Sequence, residues 1–401
     1  MRKDNKPTST VGFMVIYAFF QITSGFIHPV VPTLIVLRDF HSYMFGVILA
    51  AMSMANFIFS PFWGNLCNYV SSKYIMFICS IGYIGGQLLF GYANTEASIV
   101  VARLISGTFF GGITVSSLNY IINTSNENKS VYLVAASTIQ SVGFAIGYFV
   151  GGVLGEVSVI TPFISQAICM VVCALLFILY CNKNDGFKQT MPKRSVFIKE
   201  SNPLSVLVSA KNLISGILSV FLLCVFIACF GQTSFDQSFN YYLKDIFDLS
   251  PIYNGVIRAV SAILSLIVNS TIGIILLKKT NHNKTFVWLL GLCTLIFFSI
   301  FIFKSLLIYI IITVVSLALN ALRAPMQQDI ILKKVKDENS NVLMGFYQAI
   351  NAIGSMAAAL TAGFTYDLWN NLPFLIGGIC LLASTLLATV FLRTDKTVEN
   401  I

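Results

Sequence analysis

The sequence predicts an all-α integral membrane protein, with twelve transmembrane helices arranged as two six-helix bundles. Three observations carry that expectation. Of 401 residues, 56% are hydrophobic and only 10% are charged, where a soluble domain is about 25% charged. The 34 phenylalanines exclude a disordered chain. Apolar runs of the roughly 20 residues needed to cross a bilayer follow one another with short polar gaps, and the basic residues collect in those gaps.

In chain order the runs fall at about 11–37, 42–63, 74–92, 97–122, 131–155, 158–180, 212–242, 252–277, 285–303, 305–330, 341–366 and 370–392. The run after the polar residues 1–10 is too long for a signal-peptide core and lacks a small-residue cleavage site, so it reads as the first span. The longest polar gap is 181–211. It divides the chain into an N-terminal bundle (1–180), a linker (181–211) and a C-terminal bundle (212–401), the layout of a transporter built from repeats.

Orientation follows from the loop charges. With the N-terminus inside, 19 of the 25 Lys and Arg residues fall in inner segments and only Arg38, Lys244 and Lys304 in outer loops. The remaining three, Arg103, Arg258 and Arg323, lie within spans. Both termini are therefore expected in the cytoplasm. The net charge of +9 becomes a topology signal, and no nucleic-acid partner is expected because the basic residues do not cluster on a soluble face. The nine cysteines lie in or beside apolar runs. Cys169 and Cys173 are one helical turn apart, but a metal site needs more ligands than that, so no metal is expected.

Four motifs in register carry a resemblance. Pro29-Val30-Val31-Pro32 lies in span one. Gly64-Asn65-Leu66-Cys67-Asn68-Tyr69-Val70-Ser71-Ser72-Lys73 joins spans two and three. Arg103-Leu104-Ile105-Ser106-Gly107 lies in span four, and Gly143, Gly147, Gly151 and Gly152 recur in span five. These are similar to the Pro-Val-x-Pro element, the G-x-L-x-D-R-x-G-R-K loop, the R-x-x-x-G element and the G-x-x-x-G-P-x-x-G-G signature of the twelve-span drug:proton antiporters of the major facilitator superfamily. The resemblance implies that family's fold and proton-coupled efflux. It casts Pro29, Pro32, Gly64, Asn68, Lys73, Gly107 and the four span-five glycines as gating elements, and Arg103 as a proton-handling residue. The departures are Asn68 for the loop Asp, Ser71 and Ser72 for its Gly and Arg, Tyr148 for the span-five Pro, and Asn320 where relatives carry a second acid in span ten.

A charge at bilayer depth costs several kcal/mol, so charged residues there generally face the interior and mark a pathway. Asp236 is the one acid read as deep, and it is the candidate proton-coupling residue together with Arg103. Desolvation favours the protonated form of a carboxyl, and a bound cation competing with that proton would be antiport in its simplest form. On span seven Gln232, Asp236, Phe239 and Asn240 share one helical face, and on span ten Ser316, Asn320, Arg323 and Gln327 form a second polar stripe. With Gln21 and Gln140 they are the candidate cavity residues. The alternative for Asp236 and Arg323 is a simple pair across a helix interface, and for Arg103 a guanidinium bonded to helix carbonyls. His28, beside Pro29, reads as a packing histidine. Gly143, Gly147 and Gly151 give a smooth stripe for close helix approach, read as a bearing for rocking domains against the alternative of static packing.

The function expected is secondary active export of hydrophobic or amphipathic small molecules by proton antiport and alternating access. No phosphate-binding loop or cofactor motif is present, so the proton gradient is the expected energy source. The partners expected are a small-molecule substrate and the lipid bilayer, for a monomer in a bacterial cytoplasmic membrane. Export or facilitation of an endogenous metabolite or lipid with weak proton coupling is the alternative. A lipid-modifying enzyme or a non-transporting sensor ranks below both, because membrane-surface catalysis needs a His or carboxylate cluster that the sparse acids and three separated histidines do not supply.

Overall fold

The computed structural model describes residues 10–125, 129–182, 192–204, 216–300, 305–334 and 340–399. Among these there is no strand; nearly all are helical. The helices are α1 (Thr10–Ser24), α2 (Val31–Leu37), α3 (Met44–Leu66), α4 (Ser72–Tyr92), α5 (Glu96–Thr124), α6 (Lys129–Val157), α7 (Thr161–Tyr180), α8 (Arg194–Glu200), α9 (Gly216–Asp245), α10 (Pro251–Val268), α11 (Ile274–Lys279), α12 (His282–Ser299), α13 (Leu306–Leu332), α14 (Ser340–Leu368) and α15 (Leu372–Glu399). Eleven described stretches are long and apolar enough to cross a membrane. The expected ninth span is α12, an 18-residue helix followed by 301–304, which lie outside the described residues.

Local chemistry explains where the helices bend. Pro29 has no N–H to give the ladder, and span one tightens there into a 3₁₀ turn over His28–Val30 between α1 and α2. Thr95 starts α5 with a reciprocal cap: Ser98 N–H donates to Thr95 Oγ1, and Thr95 N–H donates to Ser98 Oγ. Span eight runs from α10 into α11 through a π turn at Asn269–Gly273. The linker contributes one element that the apolar runs did not announce, the seven-residue α8.

The chain forms two compact units. One comprises 1–34, 51–203 and 250–256; the other comprises 35–50, 204–249 and 257–401. The first is centred on aromatic packing of Phe13, Tyr17, Phe20, Trp63, Tyr83, Tyr120 and Phe177. In the second, Phe235 stacks on Phe297 with ring centroids 4.0 Å apart and meets the edge of Phe374 at 5.3 Å.

Two short segments change sides relative to a plain cut at the linker, and glycines are the reason. A Cβ on Gly46 would sit 2.0 Å from the Ala359 carbonyl oxygen, and one on Gly363 would sit 2.4 Å from that of Tyr43. The start of α3 is thereby locked to the α14 backbone. A Cβ on Gly255 would lie 2.8 Å from the Tyr148 oxygen and 3.4 Å from Gly152 Cα, which ties the start of α10 to α6. The same Gly-Val-Ile triplet occurs at 46–48 and 255–257. Each is preceded at the same spacing by an Asp with positive φ, Asp39 (53°) and Asp248 (47°). Asp tolerates the left-handed region better than most side chains, and the pair marks one turn used twice.

Candidate functional site

In the second unit the polar stripes of α9 and α13 are both present. Gln232 is buried and donates from Nε2 to Asp236 Oδ1 at 3.2 Å. Asp236 is half-buried and lies within electrostatic reach of Arg258 on α10 and Arg323 on α13. Arg323 is 3% exposed. Its Nη2 donates to Asn320 Oδ1, while its Nε and Nη1, like Gln232 Oε1, have no hydrogen-bond partner among the described residues. Further along α13, Gln327 Oε1 accepts from the Tyr347 hydroxyl at 3.0 Å.

Two expected cavity residues are placed in packing. Ser316 is fully buried and its hydroxyl donates back to Thr313 O at 2.9 Å, within its own helix. Phe239 is 1% exposed and stacks on Phe235. Asn240 and Asn320 are half-buried.

Sequence reading left Arg258 among the span charges without a role and passed over a polar stripe on α14. Asn351 Nδ2 donates to Tyr347 O at 3.0 Å, and Ser355 Oγ accepts from Thr233 Oγ1 of α9 at 3.2 Å. Tyr347, Asn351 and Ser355 recur at helical spacing, the same signal that singled out spans seven and ten.

In the first unit Arg103 is 2% exposed, with its guanidinium carbon 4.9 Å from the Phe90 ring centroid, a cation–π contact. Tyr83 and Tyr148 are the phenols within its field. Tyr148, standing where the signature has Pro, also stacks on His28 at 5.5 Å, and Phe144 meets the same imidazole at 4.9 Å. Buried amides gather in this unit. Gln21 is 1% exposed, Gln87 is 2% exposed, and Gln166 donates to Thr23 O at 2.9 Å and Ser24 O at 3.3 Å. Gln87 and Gln166 were not anticipated as companions of Gln21. Gln140 lies on an exposed face of α6, apart from them.

The glycine stripe meets span one. A Cβ on Gly143 would lie 2.9 Å from Gln21 Cβ, one on Gly147 2.0 Å from Ile22 O, and one on Gly151 2.0 Å from Phe26 O. Only Gly152 turns toward α10, with Pro251 O at 3.0 Å from its Cβ position. Gly107 serves α5 against α3 in the same way, 2.2 Å from Met52 O, whereas the Gly64 position meets only Val115 Cγ1 at 3.4 Å. Pro29 and Pro32 are both buried.

The loop motif uses neutral groups and carbonyls. Lys73 Nζ donates to Ile178 O and Cys181 O, both at 3.3 Å, capping the carbonyl end of α7 where a cation is favoured. Asn68 Nδ2 donates to Asn65 Oδ1 at 3.4 Å. Asn65 Nδ2 in turn donates to Phe197 O at 3.3 Å and to Ser201 Oγ at 3.2 Å, holding α8. In the second unit His282 and Lys333 both pair with Asp329, with Lys333 Nζ at 2.8 Å, so the inner-end acid of span ten belongs to a charged cluster.

A match to the Major Facilitator Superfamily runs over residues 13–359. The tetracycline resistance protein, class H, of Pasteurella multocida is 25% identical over 97% of both chains. Multidrug resistance protein 2 of Bacillus subtilis is 21% identical over 94% of this chain and 93% of its own. The quinolone resistance protein NorA of Staphylococcus aureus is 24% identical over 62% of this chain and 61% of its own. Among solved structures, the nucleoside transporter NupG superposes with a TM-score of 0.74 at 14% identity, covering 96% of this chain and 99% of that one. Members of the family are transporters and not enzymes. With its multiple membrane-spanning helices and motifs in register, the chain belongs to the major facilitator superfamily.

Proposed function

We propose that this transporter exports hydrophobic or amphipathic small molecules in exchange for protons, by alternating access, across the cytoplasmic membrane of a bacterium. The relatives named for resistance to tetracycline, quinolones and multiple drugs support export of such compounds. The imposed proton gradient is its energy source, and it works without a cofactor. The distribution of loop Lys and Arg supports a cytoplasmic location for both termini.

The observation that carries the coupling reading is Asp236. It is a carboxyl inside a long apolar helix, held by Gln232 and within electrostatic reach of two arginines. Gaining or losing its proton changes the charge that this site presents to a substrate, and in a low-dielectric setting that change is large. Reconstituted protein given an inward proton gradient should extrude an amphipathic dye, and Asp236→Asn should abolish the gradient-driven part while leaving the fold intact by size-exclusion chromatography. Identical transport by wild type and Asp236→Asn would remove the coupling claim.

A second reading, transport of an endogenous metabolite or lipid with weak proton coupling, is favoured by Asn320, an amide where the motif resemblance implies an acid. It predicts substrate efflux without acidification of the vesicle interior.

A further inference from the structure

In the second unit two arginines, Arg258 and Arg323, act on the carboxylate of Asp236. The other described carboxylates of that unit's long helices lie in end turns: Asp245 closes α9, Asp329 is in the last turn of α13, and Asp367 is in the last turn of α14. The groups around Arg323 beyond Asp236 are neutral hydrogen-bonding side chains: Asn320, which takes Nη2, and Cys224, Cys293 and Tyr347, which lie within its field. At 3% exposure its Nε and Nη1 are left without an acceptor among the described residues. A charged donor in an apolar surround demands a charged or strongly polar acceptor. Asp236, within electrostatic reach of the guanidinium, and Asn320, bonded to it, are each only half-buried.

Asn320 is the neighbour that leaves Arg323 its charge. An acid at that position would neutralise Arg323 from three residues away on the same helix, whereas the amide satisfies one N–H and leaves the charge. The two unmet N–H groups suit a carboxylate, and charge-assisted N–H···O⁻ bonds are the strong ones. Gln232 Oε1, also unpartnered, offers an acceptor to a donor on the same ligand.

We propose that the second unit recognises amphipathic organic carboxylates, with Arg323 as the residue that selects the anion and Asn320 as the neutral neighbour that leaves its charge unmet. This rests on the transporter reading for its physiological meaning, but not for its test.

The test uses the detergent-purified full-length chain and three probes of one shape: pyrenebutyrate, its methyl ester, and pyrenebutylamine. Binding is read by fluorescence anisotropy, without flux or gradient. The native chain should bind the carboxylate about tenfold or more tighter than the ester, the yield of one charge-assisted hydrogen bond. Arg323→Gln should lose that preference, and Arg323→Lys should keep part of it. Asn320→Asp, which places an acid beside Arg323, should abolish the carboxylate preference and let the amine compete. Equal binding of carboxylate and ester by the native chain, or an undiminished preference in Arg323→Gln, overturns the proposal. So does an Asn320→Asp variant that still prefers the carboxylate. Should Arg323→Gln fail to fold, Asn320→Asp decides alone. Carboxylate-selective binding without gradient-driven transport would sink the antiport reading and leave this one standing. Proton-driven transport with no anion preference would do the reverse.

Discussion

At the residue scale, this protein replaces charge with neutral polarity. The loop between spans two and three keeps Lys73 as its cation and spends it on the carbonyl end of α7, while Asn68, at the position where the resemblance implies an Asp, donates to Asn65. The cysteines flanking that loop follow the same logic of burial. Burial pushes the Cys67 thiol up to about 11 and the Cys181 thiol up to about 12, even with Lys73 beside the latter. The reactive form of a thiol is the thiolate, so a raised value keeps both neutral through pH 7–9 and reactive only above that range. Maleimide at pH 8 should therefore leave Cys67 and Cys181 unmodified in the folded protein and label them once it is denatured, as peptide mass spectrometry would show; fast labelling of either in the folded state would contradict the packing described.

At the element scale, close helix approach is written into a few glycines and absent from others. Gly147 brings α6 against the backbone of span one so tightly that a methyl group would overlap the Ile22 carbonyl. Gly147→Ala should cost about 3 kcal/mol, the upper part of the range for overpacking where backbone must move. Gly85 has nothing within 4 Å of its Cβ position, and Gly85→Ala should be neutral or stabilising by up to about 1 kcal/mol through helix propensity. Thermal unfolding of the two purified variants would separate them, and equal effects would refute the contrast.

The helices themselves were legible because bilayer-length apolar runs leave little room for another reading. The site was legible in part. Helical spacing placed Gln232 and Asp236 on one face of α9, and Asn320 and Arg323 on one face of α13. Spacing does not say which helix lies opposite, so the Arg258 charge on α10 and the Tyr347–Asn351–Ser355 stripe on α14 went without a role. Nor does it distinguish a polar or aromatic group facing a cavity from one satisfied locally: Ser316 bonds its own helix, and Phe239 joins an aromatic stack. The α8 helix was hidden because seven residues in a polar linker carry too few periods to announce themselves.

For the whole molecule, family membership and fold follow from matches that span most of the chain, and the orientation proposed rests on loop charge. The excess of inner-loop Lys and Arg predicts that a green fluorescent protein fused after residue 401 will fluoresce and that alkaline phosphatase fused at the same place will be inactive; the opposite pair of outcomes would invert the topology. The two compact units are also not consecutive in the sequence. Residues 250–256 belong with the first unit and residues 35–50 with the second. A ribosome making this chain therefore cannot complete the first unit when the linker emerges, since its last piece arrives only after α9 has been synthesised. The turn that begins α3, among the first parts inserted, waits for its backbone partner until α14 is made. Biogenesis of the two units is thus interleaved in time, and an arrest placed at the linker would leave a first half lacking one of its own seams.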